Sequence, residues 1–179
     1  NELFNALMMV SRGLIDAKAM TGSWAGAMGQ PQFMPSSYLA YAVDFDRDGR
    51  RDIWRSAPDA LASIANYLKG YGWEAGQTWG REVTIEPAVL AKIQDTIPKR
   101  TTGCYAMRNM TERRPLSEWR ALGVRSADGT ALPRAMVTAG LAVLGDRAFL
   151  LYPNYDALLG YNCAHYYAVS VALLAERLR

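Results

Sequence analysis

Asp44, Asp46 and Asp48 alternate along the chain and are followed at once by Gly49, a spacing that points directly to chemistry. A D-x-D-x-D-G run can turn alternate carboxylates toward one hard cation, and the glycine allows the sharp turn that closes the loop. Arg50 would offer its backbone carbonyl. The standard calcium loop closes on a bidentate glutamate where this chain has Arg55, and the next acid is Asp59, at the start of a predicted helix. The spacing alone leaves two readings open: a calcium loop, or a charged surface turn whose Asp59 caps its helix. Three aspartates this close repel one another unless a cation or the neighbouring arginines compensate.

The segment just before, residues 22–29, is dominated by glycine and alanine, so backbone can approach backbone or ligand closely. Gln30, Gln32, Phe33 and Met34 follow it. Amide side chains beside an aromatic ring suit a carbohydrate, which offers hydroxyls along its edges and C–H faces to a ring; Phe33 and Met34 equally suit a core at a loop–helix junction. Tyr152, Tyr155, Tyr161, Tyr166 and Tyr167, with Asn154 and Asn162, crowd the end of the chain and suit either a polar groove or a hydrogen-bonded core. His165, the only histidine, has no Ser, Cys or Asp partner at a recognisable spacing and reads as a solvent-facing helix residue.

Helices must position these groups. Leu3, Leu7, Val10 and Leu14 predict an amphipathic first helix. Pro35-Ser36-Ser37 predicts a second, and Ser56-Ala57-Pro58-Asp59 has the Ser-x-x-acid form of a third, with Leu61, Ile64, Ala65 and Leu68 as its stripe and Gly70 and Gly72 as its stop. Beyond Trp73 the pattern shortens: residues 82–85 and 147–152 read as strands, residues 87–93 and 117–122 as short helices. Tyr167, Val171, Leu174 and Leu178 predict a last helix with those residues on its apolar face. The expected fold is mainly α, a helical part over residues 1–72, a small mixed α/β lobe over 73–155, and a C-terminal helix over 156–179 that returns to the helical part.

A chain of 179 residues, half of them hydrophobic, can bury roughly 70% of its unfolded surface without staples. Its net charge of +3 is too weak and too dispersed for a nucleic-acid partner. No apolar run reaches the roughly 18 residues needed to cross a bilayer, and the opening residues lack the layout of a signal peptide. Cys104 and Cys163 make no metal-binding spacing and fit either one disulfide or two unrelated thiols.

GSWAGAMGQPQFMPSSY from Gly22, AVDFDRDGRRDIW from Ala42, DALASIANYLKGYGW from Asp59, and YPNYDALLGYN with YYAVSVALLAERL near the end together resemble the lytic murein transglycosylase B family of bacterial peptidoglycan-cleaving enzymes. The resemblance is collinear over nearly the whole chain and loosest in the middle. It implies a lysozyme-like helical domain that cleaves the β-1,4 bond between N-acetylmuramic acid and N-acetylglucosamine, closing a 1,6-anhydro ring with one glutamate as acid and then base. Position by position it implies that Ser23, Gln32, Phe33, Tyr67, Asn162 and Tyr167 contact the sugar. It likewise implies an EF-hand-like structural calcium site of Asp44, Asp46, Asp48, the Arg50 carbonyl and Asp59, with no organic cofactor. The implied setting is the periplasm or outer membrane of a Gram-negative bacterium, as a monomer on glycan strands, with any membrane anchor outside this chain. No residue matches the family's catalytic glutamate, which is expected upstream of Asn1; Glu2 resembles a structural Glu-Leu pair of the first helix. The expectation is a catalytic parent protein and an inactive chain, or a calcium-stabilised binding or scaffold module.

Overall fold

Asn1 starts the first helix, α1 (Glu2–Ser11), by accepting the Leu3 N–H on its side chain; the computed structural model describes residues 1–178. Gly13, at φ +65°, follows the helix end, so α1 stops short of Leu14. Only Met9 of α1 is fully buried, while Leu3, Phe4 and Leu7 are exposed. Helix α2 (Pro35–Tyr41) opens on proline, whose missing N–H costs nothing at a helix start. Helix α3 (Ala57–Gly70) begins as the Ser-x-x-Asp pattern predicts, with Ser56 Oγ accepting the Asp59 N–H at 3.2 Å. These three helices form the first of two compact units, Asn1–Gly70. Its interior includes Met9, Phe33, Tyr38, Ile53, Ala60 and Tyr67.

The second unit, from Tyr71 onward, is built on a sheet. Its elements are β1 (Gly80–Thr84), α4 (Pro87–Thr96), α5 (Tyr105–Arg108), β2 (Arg114–Pro115), α6 (Leu116–Ala121), β3 (Arg125–Ser126), β4 (Thr138–Leu144), β5 (Arg147–Leu151), α7 (Pro153–Tyr161) and α8 (His165–Arg177). The five strands lie in the order β2-β4-β5-β1-β3, every pair antiparallel. Strands β4 and β5 form a hairpin with Leu144 opposite Arg147, and Gly145 at φ +66° supplies the left-handed residue of its two-residue turn. Ile93, Leu116, Trp119, Leu141 and Leu150 form the heart of this unit's core. Trp119 Nε1–H donates to the Ala139 carbonyl at 2.9 Å, satisfying the one polar atom of a fully buried ring.

The expectation of a mainly α fold with a small mixed lobe is therefore corrected: the chain is mixed α/β, with a five-stranded antiparallel sheet at the centre of its larger unit. The reason lies in β4. Its sequence, TAGLAVL, is mostly small residues with little β-branched character, so no local signal marks it as a strand. It is held in the sheet by its partners and by burial of Ala139, Gly140, Leu141 and Ala142. A similar reversal occurs in α8, which buries Ala168, Val169 and Ala172 and turns Tyr167, Val171, Leu174 and Leu178 outward. Small residues let a helix approach its neighbour closely, and that contact outweighs the larger apolar stripe. Cys104 and Cys163, left open by the sequence, are joined in a disulfide with a Cα separation of 6.2 Å.

Candidate functional site

In the first unit the glycine loop is drawn into a compact knot by paired backbone, Gly22 bridging Met28 and Met28 bridging Phe33. Glycine is required at Gly29, whose φ is +63° and where a Cβ would come within 2.8 Å of Ile53. The knot presents Gln32 outward at φ +54°, an uncommon left-handed conformation for a residue with a side chain. Its Nε2 donates to the Gly29 carbonyl at 2.9 Å, and its amide oxygen has no hydrogen-bond partner among the described residues. Ser23 is exposed on the same knot, its hydroxyl accepting the Ala27 N–H at 3.2 Å.

Phe33 and Tyr67 meet with ring centroids 5.4 Å apart, and Tyr41 stands edge-on to Tyr67 at 4.9 Å. Both Phe33 and Tyr67 are buried, at 2% and 6% exposure. They form a buried aromatic wall, while Gln32 and Ser23 are exposed on the loop. Asn162 and Tyr167 belong to the second unit. Asn162 ends α7, and Tyr167 stacks on Tyr161 at 6.5 Å with the rings within 16° of parallel. Burial pushes the Tyr161 hydroxyl up from its usual pKa of 10, with a smaller contribution from Tyr167.

The aspartate loop follows the knot. Arg47 at φ +63° and Gly49 at φ +88° bend it back on itself. Asp44, Asp46 and Asp59 each bring one carboxylate oxygen within 4.8 Å of the others; Asp48 stands outside that group and accepts the Arg50 N–H at 2.8 Å. Asp59 is 1% exposed, and its two oxygens accept the N–H groups of Phe45 and Asp52, each at 2.8 Å. One carboxylate thus ties both arms of the loop to the first turn of α3. Asp44 Oδ2 accepts the Gly49 N–H at 3.0 Å, while its Oδ1 is buried with no hydrogen-bond partner. A buried, unsatisfied oxygen on one of three carboxylates gathered this closely is an unfavourable arrangement that a hard divalent cation would relieve, and an all-oxygen donor set fits calcium.

Glu2, the acid nearest the start, is committed elsewhere: its carboxylate accepts the Ser36 N–H at 2.9 Å and the Ser36 hydroxyl at 2.6 Å. These hydrogen bonds hold its carboxyl below its usual pKa. His165 is not solvent-facing. It is half-buried, with Nδ1 3.0 Å from the Tyr155 hydroxyl and its ring stacked on Tyr155 at 5.9 Å. Sequence spacing missed this pair because ten residues and a helix break separate its members.

A family model described as the Transglycosylase SLT domain matches residues 1–176, and the chain belongs to that family. Its relatives include the membrane-bound lytic murein transglycosylase B of Escherichia coli K12, 32% identical over 98% of this chain but 44% of the relative's length. SltB3 of Pseudomonas aeruginosa, solved in complex with NAG-NAM-pentapeptide, superposes with a TM-score of 0.84 at 43% identity, over 98% of this chain and 45% of that one. Slt35 of E. coli, solved in complex with calcium, gives 0.73 at 30% identity, over 98% of this chain and 51% of that one. The chain therefore spans about half the length of these relatives.

Proposed function

We propose that this chain is the glycan-holding part of a peptidoglycan lytic transglycosylase that cleaves the MurNAc-β-1,4-GlcNAc bond and forms 1,6-anhydro-MurNAc. The observation that carries the reading is the loop on which Gln32 offers an unpartnered amide oxygen beside the Phe33–Tyr67 wall, in a chain of this family. Ser23 and Gln32 hydrogen-bond sugar hydroxyls, and Phe33 and Tyr67 shape the wall; Asn162 and Tyr167 are proposed as sugar-contacting residues of their own unit. In the reaction, a protonated carboxyl gives its proton to the leaving glycosidic oxygen. The resulting carboxylate then takes the proton of the muramic acid C6 hydroxyl as that oxygen closes on C1. A single carboxyl suffices because the substrate supplies its own nucleophile, unlike the paired carboxylates of ordinary glycosidases.

That carboxyl has to be held protonated by an apolar site. Glu2 is unsuited, because the Ser36 hydrogen bonds favour its ionised form. Glu2 is therefore not assigned as the acid, and the chain alone is read as a calcium-stabilised peptidoglycan-binding module. Asp44, Asp46, Asp59, Asp48 and the Arg50 carbonyl would hold that calcium, whose contribution is to fix the loop to α3. The setting that suits such an enzyme is the periplasm or the outer membrane of a Gram-negative cell, with the protein monomeric on glycan strands.

Incubating purified sacculi with the chain and analysing the soluble products by mass spectrometry tests this reading. The expected result is no anhydro-muropeptide from the chain alone and anhydro products from the whole protein. Anhydro products that appear with the chain and vanish on Glu2→Gln would overturn the assignment of the acid.

A further inference from the structure

In the second unit, the segment that leads into β4 borders two depressions. The larger, about 620 Å³, is lined by Pro115, Ser117 and Arg120 at the entry to α6 and by residues 133–138. The smaller, about 330 Å³, shares Ala135, Met136 and Val137 with the first and adds Gln77, Thr78, Arg81 and Tyr152. None of these residues is among the proposed glycan contacts.

The backbone N–H and C=O groups of Arg134, Ala135 and Met136 make no hydrogen bond with the described residues. The length of β2 is the reason. This end strand of the sheet pairs only Arg114 with Ala139 and Pro115 with Thr138; the Leu116 N–H donates to the Val137 carbonyl at 3.1 Å, and the chain then turns into α6. Residues 134–136 thus run past the end of their only neighbouring strand. All three are exposed, Met136 fully. A run of unpaired backbone groups at a sheet edge is a template for another chain.

The charge beside this run is of one sign. Arg81, Arg120 and Arg134 line the two depressions, no carboxylate is among the lining residues, and none of the three arginines is in an ion pair among the described residues. Arg81 is held in place, its Nε–H donating to the Tyr152 hydroxyl at 2.6 Å and its guanidinium 5.9 Å from the centre of that ring.

We propose that this face binds a short extended segment of a partner protein in which acidic side chains alternate with apolar ones. The backbone of that segment pairs with residues 134–136, its carboxylates meet the arginines in charge-assisted hydrogen bonds, and an apolar side chain covers Met136. The unpaired backbone decides the class of partner. A lipid headgroup could meet the arginines, but a row of N–H and C=O groups is complemented by another peptide backbone. A second copy presenting the same face would set arginine against arginine, so the partner is a different protein.

The test is a titration, followed by amide NMR shifts, of the chain and of the whole protein with a capped hexapeptide of alternating Glu and Val. Saturable shifts at Arg134, Ala135 and Met136 are expected in both, with the Lys and Val counterpart binding about tenfold more weakly. The double variant Arg120→Glu, Arg134→Glu, checked for an otherwise unchanged spectrum, should reverse that preference. N-methylation of the peptide backbone, which keeps its charge and removes its donors, should weaken binding about tenfold. Equal binding of the acidic and basic peptides, a preference that survives the double variant, or indifference to N-methylation overturns the proposal. So does binding by the chain alone, which would mean that the whole protein covers the face itself. Sedimentation with phosphatidylglycerol vesicles without any binding of the peptide would assign the face to a membrane, and displacement of the peptide by GlcNAc-MurNAc-pentapeptide would assign it to the substrate; either result overturns the partner-protein reading.

Discussion

Glu2 and Ser36 are joined by two hydrogen bonds, the carboxylate of one residue accepting both the backbone N–H and the hydroxyl of the other. Ser36 is the second residue of α2, so Glu2 caps that helix from a distance, on the end where the helix dipole also favours a negative charge. Glu2→Ala should cost about 1 kcal/mol, the usual worth of an N-terminal cap. The Glu2 pKa is lowered on folding, so this stability is complete above the ordinary carboxylate pKa of 4.5 and is lost as pH falls through the lower folded value. Urea titrations of wild type and variant on both sides of that range check it. An equal difference at all pH values would mean that the carboxylate is not the source.

The Asp44 oxygen without a partner and the buried Asp59 carboxylate predict a response to calcium. Saturating calcium at a hundred times its dissociation constant should raise stability by about 2.7 kcal/mol. Differential scanning calorimetry should show the midpoint rising with calcium in the wild-type chain. Asp44→Asn should abolish the rise while changing the calcium-free midpoint little, because the oxygen it alters is already unsatisfied. No shift with millimolar calcium in the wild type would remove calcium from the site.

The Cys104–Cys163 disulfide joins positions 59 residues apart. Closing a loop of that length removes enough unfolded-state entropy to stabilise by about 4 kcal/mol in the chain-entropy model. The Cys104→Ser, Cys163→Ser double variant should lose most of this, read as a lower denaturant midpoint. Dithiothreitol should lower the midpoint of the wild type and leave that of the variant unchanged.

His165 supplies a second pH response. Burial holds its imidazole below the usual 6.5, so protonation favours the unfolded chain. The associated stability is complete above about 6.5 and falls as pH drops toward the lower folded value. In His165→Gln this mildly acidic slope should vanish, leaving only the carboxylate response at lower pH. Thermal midpoints of the two proteins across the mildly acidic range decide the matter.

The sequence was most legible where one local rule governed the outcome. Pro35 and Ser56 with Asp59 mark helix starts that the structure contains, because capping is settled within a single turn. Glu82 and Phe149, each in a predicted strand, prove to be direct partners in the sheet. Its reach failed where tertiary partners decide. Nothing local reveals that Ala139 to Ala142 are central strand residues, or that α8 buries Ala168 and Ala172 and not Leu174. In the candidate site, the aspartate spacing was visible, but only folding shows that Asp59 binds the two arms of the loop through Phe45 and Asp52. The cavity that Asp16 and Arg55 both line gave no motif at all, because its residues become neighbours only when the chain turns back on itself.

The pairing of β1 with β5 sets the pace at which the second unit can form. Gly80 lies opposite Leu151 and Val83 opposite Ala148, so the central register joins the two ends of a long stretch of chain. Such contacts of high sequence separation fold slowly, because the loop must close before the pairing rewards it. During synthesis, β1 leaves the ribosome long before β5 and waits with an unpaired edge, and an unpaired edge is where strands recruit the wrong neighbour.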